Sequence, residues 1–293
     1  MKNLVVLSGK GGTGKTTVTA ALARFAAGER RLVMVDADVD AANLGLLLAP
    51  REREATDFVG AEAAVIDAEA CTACGLCAEA CRFDAIAAAD GTYRVDPLAC
   101  EGCRACKFVC PEEAVAMEPQ LSGRRYLSDT RLGPLFHAHL LPGQENSGKL
   151  VTALRRDAEA WAERERPDVM LTDGPPGIGC PVIAAASGAD LALLVTEPTP
   201  AAVHDFRRIL GTLEHFGIPA LACVNKADLN AERREEIRVE CEARGVALLG
   251  DIPYDEAAMD AVRAGRPVTD GDAPRLAAAL SAIWDALRPH LDA

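Results

Sequence analysis

The sequence lacks any apolar run approaching the ~18 residues that a membrane-spanning helix needs, so a spanning role is set aside. Its first residues lack a basic stretch and a cleavage signature. They open on the strand-like run Leu4-Val5-Val6-Leu7, so no signal peptide and a cytoplasmic location are expected. Positive charge is scarce as well: 31 Lys and Arg against 44 Asp and Glu leave a net charge of −13. The basic surface that nucleic acid or an acidic membrane requires is missing, and neither is expected as a partner. Cysteine is not scarce. There are eleven, and in a chain with these marks they point to metal or cluster binding rather than disulfides. With 293 residues, nearly half of them hydrophobic, the chain can hold one large α/β domain plus a small module, or two modest domains.

The densest signal is Gly9-Lys10-Gly11-Gly12-Thr13-Gly14-Lys15-Thr16, directly after the Leu4–Leu7 run. It satisfies G-x-x-x-x-G-K-[ST], a phosphate-binding loop between a strand and a helix. Glycines let successive N–H groups turn inward and make an anion site at a helix N-terminus. Lys15 is placed to reach the β- and γ-phosphates, and the Thr16 hydroxyl to ligate Mg²⁺. Apolar residues at helical spacing over Thr17–Ala27 supply the helix the loop needs. Gly9, Gly11, Gly12, Thr13, Gly14, Lys15, Thr16 and Thr17 are the candidate nucleotide-binding residues.

Residues 61–119 break this α/β rhythm. Cys71-x₂-Cys74-x₂-Cys77-x₃-Cys81 is followed by Cys100-x₂-Cys103-x₂-Cys106-x₃-Cys110-Pro111. Each is the bacterial ferredoxin run, in which the fourth cysteine serves the other cluster. The expected ligand sets are therefore Cys71, Cys74, Cys77 and Cys110 for one 4Fe–4S cluster, and Cys100, Cys103, Cys106 and Cys81 for a second. Arg82 stands where the first quartet would usually carry proline. Two zinc sites are the alternative, although zinc patterns usually pair two C-x₂-C knuckles.

With Lys10 inside it, the loop resembles the deviant phosphate-binding loop of the MinD/Mrp/nitrogenase-iron-protein class of ATPases. The whole chain resembles the members of that superfamily that contain an inserted ferredoxin domain. The resemblance implies a doubly wound, mostly parallel α/β sheet built from residues 1–60 and 120–293, interrupted by a two-cluster ferredoxin-like α+β domain at 61–119. It implies a homodimer that sandwiches nucleotide, with Lys10 reaching the partner's nucleotide. Arg31–Asp36 reads as a strand that runs into Asp36-Ala37-Asp38-Val39-Asp40-Ala41-Ala42-Asn43, similar to switch I. There Asp38, favoured over Asp40, orients or deprotonates the attacking water, with Asp36 on the Mg²⁺ side. Lys10, Lys15 and Asp38 are thus the candidate catalytic residues. Val169–Gly177 resembles switch II, with Asp173 on Mg²⁺ through water and Gly177 near the γ-phosphate.

Cys180 stands seven residues after Asp173, an offset at which the nitrogenase iron protein carries a cluster ligand. A buried structural thiol is the preferred reading. A hairpin is expected over Ser122–Thr130 and Leu132–Leu141, with His137 and His139 on one strand face as packing residues, then a helix to Glu163. Val224-Asn225-Lys226-Ala227-Asp228 resembles the family segment whose asparagine reads adenine. Because N-K-x-D also reads guanine in GTPases, ATP is expected and GTP stays the alternative. Gly250–Tyr254 resembles the last strand, whose loop closes over the base and brings in Pro253.

The cofactors expected are ATP, Mg²⁺ and two 4Fe–4S clusters. Three functions compete. An ATPase that gates electron transfer from its clusters to a redox or metal-cofactor partner is placed first. An Mrp-like cluster-assembly or carrier ATPase comes second. A MinD/ParA-like positioning switch comes last, for want of a basic amphipathic tail.

Overall fold

The computed structural model describes residues 1–144 and 146–292, so Glu145, in the Pro142–Lys149 segment, and Ala293 lie outside the described residues. Among the described residues eleven strands follow one another. They are β1 (Lys2–Ser8), β2 (Leu32–Asp36), β3 (Arg51–Ile66), β4 (Ile86–Ala89), β5 (Thr92–Val95), β6 (Val115–Thr130), β7 (Gly133–Leu140), β8 (Val169–Pro176), β9 (Leu191–Thr196), β10 (Ala220–Asn225) and β11 (Ala247–Ile252). Nine form one sheet in the order β11-β10-β9-β1-β8-β2-β7-β6-β3, and β4 pairs with β5 antiparallel. Every pairing from β11 to β7 is parallel. The chain is thus an α/β protein with a large, mostly parallel sheet.

Strands β1, β2 and β9 are buried on both faces, which is why they read as continuous apolar runs rather than alternating ones. Alternation still sorts their side chains between two layers. Leu4, Val6, Met34, Leu171 and Leu193 pack with Leu22 of helix Lys15–Ala26 and with Leu280, Ile283 and Trp284 of helix Pro274–Asp292. Val5, Val33 and Met170 are equally buried on the opposite face.

The chain divides into two compact units. The larger comprises Met1–Ala55, Arg125–His139 and the residues from Ser147 on; the smaller comprises Thr56–Arg124 and Leu140–Asn146. The expected hairpin forms as β6 and β7. In addition, β7 lies parallel to β2, with Asp36 opposite His137, so the hairpin extends the main sheet. Strand β3 has no counterpart in the sequence reading. Its opening residues Arg51-Glu52-Arg53-Glu54 are charged and exposed, and such an edge strand carries no apolar alternation to announce it.

The smaller unit repeats itself. Residues 71–86 and 100–115 carry the two cysteine quartets 29 positions apart (100 minus 71), and the backbone follows the same period. Ala73 and Gly102, Gly75 and Arg104, and Asp84 and Glu113 are three pairs at that spacing, and all six residues have positive φ. Short helices Leu76–Glu79 and Ala105–Val109 occupy matching places. Their Cys77 and Cys106 pack with Ala64, Ile86 and Val115 in one apolar cluster.

On the β6–β7 hairpin, His137 stacks on Tyr126 at a centroid distance of 5.0 Å and shares a 2.9 Å hydrogen bond between its Nε2 and Ser128 Oγ. Burial, aided by neighbouring His139, pushes the His137 pKa down from 6.5 to about 4. Between those values the unfolded chain binds the proton and the folded chain does not. The contribution is therefore fully present above 6.5 and is lost as pH falls toward 4. Replacing His137 with Gln is expected to shrink the fall in melting temperature between pH 7 and pH 5, measured by thermal denaturation of both proteins.

Candidate nucleotide-binding site

Parallel sheets bind ligands beyond the carboxyl ends of their strands. The ends of β1, β2, β8, β9 and β10 bring most of the expected site residues together. After β1 the chain turns through Gly9–Gly14 into helix Lys15–Ala26. A side chain at Gly9 would put its Cβ 2.6 Å from the Asp205 carbonyl carbon, so only glycine fits. Gly14 caps the helix at φ +88°, and a Cβ there would collide with the Asn225 amide. That amide instead donates to the Thr13 carbonyl at 2.7 Å, tying β10 to the loop.

The centre of the site is the Asp173 carboxylate, on β8 and wholly buried. Its Oδ1 accepts from Lys15 Nζ at 2.7 Å and from Thr19 Oγ1 at 3.0 Å. Its Oδ2 accepts from Thr16 Oγ1 at 2.7 Å. Asp38 Oδ2 lies 3.9 Å from the same lysine, and burial pushes the Asp38 carboxyl above its usual range. Asp36 is the register partner of Asp173 across β2 and β8. Burial, reinforced by the charge of Asp173, raises the Asp36 pKa to about 8. Its oxygens accept the N–H groups of Leu44, at 3.0 Å, and Asp38, at 3.3 Å, so it braces the loop between β2 and helix Leu44–Leu48.

Two more features flank this centre. A pocket of about 230 Å³ is lined by Gly12, Thr17, Asn225, Ile252, Pro253 and Tyr254 among others, with mainly apolar walls. On the other side of the loop, Lys10 Nζ lies 2.6 Å from Glu197 Oε1 and donates to Thr199 Oγ1 at 3.3 Å. Lys226 Nζ lies 2.7 Å from Glu197 Oε2 and donates to the Gly12 carbonyl at 3.0 Å. Glu197 and Thr19 escaped the sequence reading. Glu197 follows an apolar strand in no recognised pattern, and Thr19 is one of several small residues on its helix. Gly177 follows β8 at φ +95° and donates its N–H to the Ser8 carbonyl at 2.9 Å. Cys180 is exposed, not buried as expected, because helix Cys180–Ala186 begins at that residue. Cys223 and Cys241 are buried.

The profile of the CobQ/CobB/MinD/ParA nucleotide binding domain matches residues 4–268. The chain belongs to this family. This P-loop ATPase is 34% identical over 228 residues to an uncharacterized protein of Methanocaldococcus jannaschii, covering 78% of this chain and 79% of that one. It is 28% identical over 282 residues to the chloroplastic septum site-determining protein MinD homolog of Arabidopsis thaliana, covering 94% and 70% of the two chains. Among solved structures it shares its fold with the septum site-determining protein MinD of Pyrococcus horikoshii complexed with Mg-ADP. There the TM-score is 0.59 at 21% identity, over 98% of this chain and 95% of that one. A ParA family ATPase from Chlorobium tepidum gives 0.54 at 16%, over 98% of both chains.

These findings correct the functional reading. The relatives of named role are septum-site proteins, so electron transfer from iron–sulfur clusters to a redox partner is withdrawn and the positioning class, placed last above, moves to the front. The accompanying iron–sulfur and ferredoxin description is not carried by them. Among the described residues, no three His, Cys, Asp or Glu side chains stand together as a metal-ion ligand set. No helix among the described residues is long and apolar enough to cross a membrane.

Lys15 and Asp173 form a buried ion pair, and removing one partner strands the other charge. Lys15→Ala is expected to cost about 3 kcal/mol of stability, read by urea denaturation without nucleotide. ATP turnover by the same variant is expected to fall to background.

Proposed function

We propose that this ATPase is a nucleotide-gated switch of the MinD/ParA type: Mg·ATP assembles two chains into a dimer, a partner protein is held while ATP persists, and hydrolysis releases both. The observation that carries it is the meeting of Lys10, Lys15, Asp38 and Asp173 around one phosphate-binding loop in a chain of this family. The loop suits a triphosphate. Open space lies beside Gly11, Gly12 and Gly177, and the buried Thr13 hydroxyl has no hydrogen-bond partner among the described residues. Thr16 and Asp173, already joined by a hydrogen bond, would hold Mg²⁺, which supplies charge neutralisation between the β- and γ-phosphates.

In this reading Lys15 exchanges Asp173 for phosphate oxygens. Asp38 orients water in line with the γ-phosphorus. Water oxygen bonds to phosphorus as the bond to the bridging oxygen breaks, and the water proton passes toward Asp38. The 230 Å³ pocket takes adenine between Pro253 and the loop, with Asn225 at its edge. Asp228, which would read guanine, accepts the Tyr254 N–H at 2.7 Å instead. That supports ATP over GTP.

The cysteine-rich unit enters as a separate, finer part of this proposal, with residues 61–119 as a ferredoxin-like insert holding two 4Fe–4S clusters as resident groups. Cys81, Cys100, Cys103 and Cys106 line one small cavity of about 20 Å³, bringing the last cysteine of the first quartet to the second. Cys71, Cys74 and Cys77, with Cys110, make the other set. The first cysteine of each quartet accepts a backbone N–H, from Ala73 at 3.4 Å and from Ala64 at 3.5 Å, as thiolate ligands do.

Asp38→Asn is expected to retain ATP binding but to slow turnover at least tenfold, with dimers that persist in ATP. Lys10→Ala is expected to bind ATP and stay monomeric. Light scattering with a steady-state phosphate assay checks both, and wild-type mass and rate in either variant would count against its assigned role.

Anaerobic reconstitution is expected to yield about eight iron and eight sulfide per chain, with Cys110→Ser losing about half of each. Stoichiometric zinc without labile sulfide would overturn the cluster part and leave the ATPase part standing.

A further inference from the structure

Glu197 is 6% exposed and sits at the carboxyl end of β9, next to β1. Each of its carboxylate oxygens is taken by a different lysine, Lys10 on Oε1 and Lys226 on Oε2. Neither lysine is there by default. Lys10 is bent back onto its own chain and held at a second point by Thr199, whose hydroxyl oxygen also accepts the Ala202 N–H that caps helix Pro200–His215. Lys226 continues to the Gly12 carbonyl. Burial opposes ionisation of Glu197, but the two lysines outweigh it and hold the carboxyl below the usual glutamate range.

We propose that Glu197 is a latch: it holds Lys10 in cis on its own subunit and releases it only to a triphosphate offered by a second copy of this chain. The latch deepens the dimer reading above and rests on it. Lys10 cannot serve both anions, since its ammonium already touches Glu197 at 2.6 Å. Exchange therefore depends on which site carries more negative charge at close range. A γ-phosphate adds charge that a diphosphate lacks, so the competition favours release with ATP and retention with ADP.

The second lysine makes the exchange feasible. Stripping the only counter-ion from a buried carboxylate is strongly unfavourable. Here Lys226 stays behind on Oε2, so Glu197 remains paired when Lys10 leaves. Lys226 also keeps its hold on Gly12, and Asn225 its hold on Thr13, so the loop stays braced while one lysine departs. An ordinary structural ion pair would need only one lysine and would not engage the one residue that distinguishes this loop from the generic pattern.

Two readouts separate the latch from the dimer reading on which it rests. The first is the acetylation rate of the Lys10 amine by acetic anhydride in nucleotide-free monomer, followed by peptide mass spectrometry. The second is the protein concentration at which light scattering reports half dimer, with ATP or ADP. Glu197→Gln is expected to label Lys10 several-fold faster. It is also expected to halve into dimer at roughly tenfold lower concentration in ATP and to show dimer in ADP. The double variant Lys10→Ala, Glu197→Gln is expected to remain monomeric. Lys226→Met leaves Lys10 as the sole counter-ion of Glu197 and is expected to move labelling the other way, slowing it. This arm also covers a Glu197→Gln that fails to fold. Wild-type labelling rates in Glu197→Gln or Lys226→Met would overturn the latch. Changed labelling together with normal ATP-dependent dimers of Lys10→Ala would leave the cis ion pair in place, but would overturn the release of Lys10 to a partner's nucleotide.

Discussion

A carboxylate with no exposure to water is tolerated only where protein groups replace the whole of its hydration. Asp173 meets that condition with one ammonium and two hydroxyls, all carried on the first turns of helix Lys15–Ala26. The consequence runs in both directions. The helix is anchored to β8, and the loop before it inherits a fixed starting point. The strand order then does the rest, because β8 lies between β1 and β2 and so places the loop after β2 and the phosphate-binding loop on either side of one acid. A nucleotide that draws Lys15 away changes the partners of Asp173, and through Thr16 and Thr19 the change reaches the helix.

The loop itself was plain in the sequence because its spacing is the chemistry. Glycine at positions 9 and 14 and lysine at 15 are required by close approach and charge, and no distant residue is needed to see it. The buried strands were plain for a similar reason, since burial on both faces leaves an uninterrupted apolar run. Glu197 was not legible. Its partners Lys10 and Lys226 come from other strand ends, brought near only by the sheet order. Asp36 was read beside the metal, while its carboxylate is found on the backbone of Leu44 and Asp38; no local pattern distinguishes those uses.

Turns in the smaller unit were hidden by composition. Arg104, Asp84 and Glu113 have positive φ where glycine would have announced it. Only the second copy of the pattern, 29 residues on, shows that these are places the fold uses. Strand β3 was hidden by charge at an exposed edge. Function was less legible than fold, because the cysteine quartets fill a short stretch while the similarity to the nucleotide-binding family spans residues 4–268.

The lysines gathered at the loop bear on the encounter with ligand. Around the loop Lys10 and Lys226 are paired with Glu197, and Lys15 with Asp173 and Asp38. The loop thus gathers three ammonium groups at one place on a protein whose net charge is −13. An approaching anion meets a local gap in the repulsive field rather than the field of the whole molecule. Because charges beyond about 8 Å are screened at physiological salt, that gap, more than the overall acidity, governs how quickly an anion is captured.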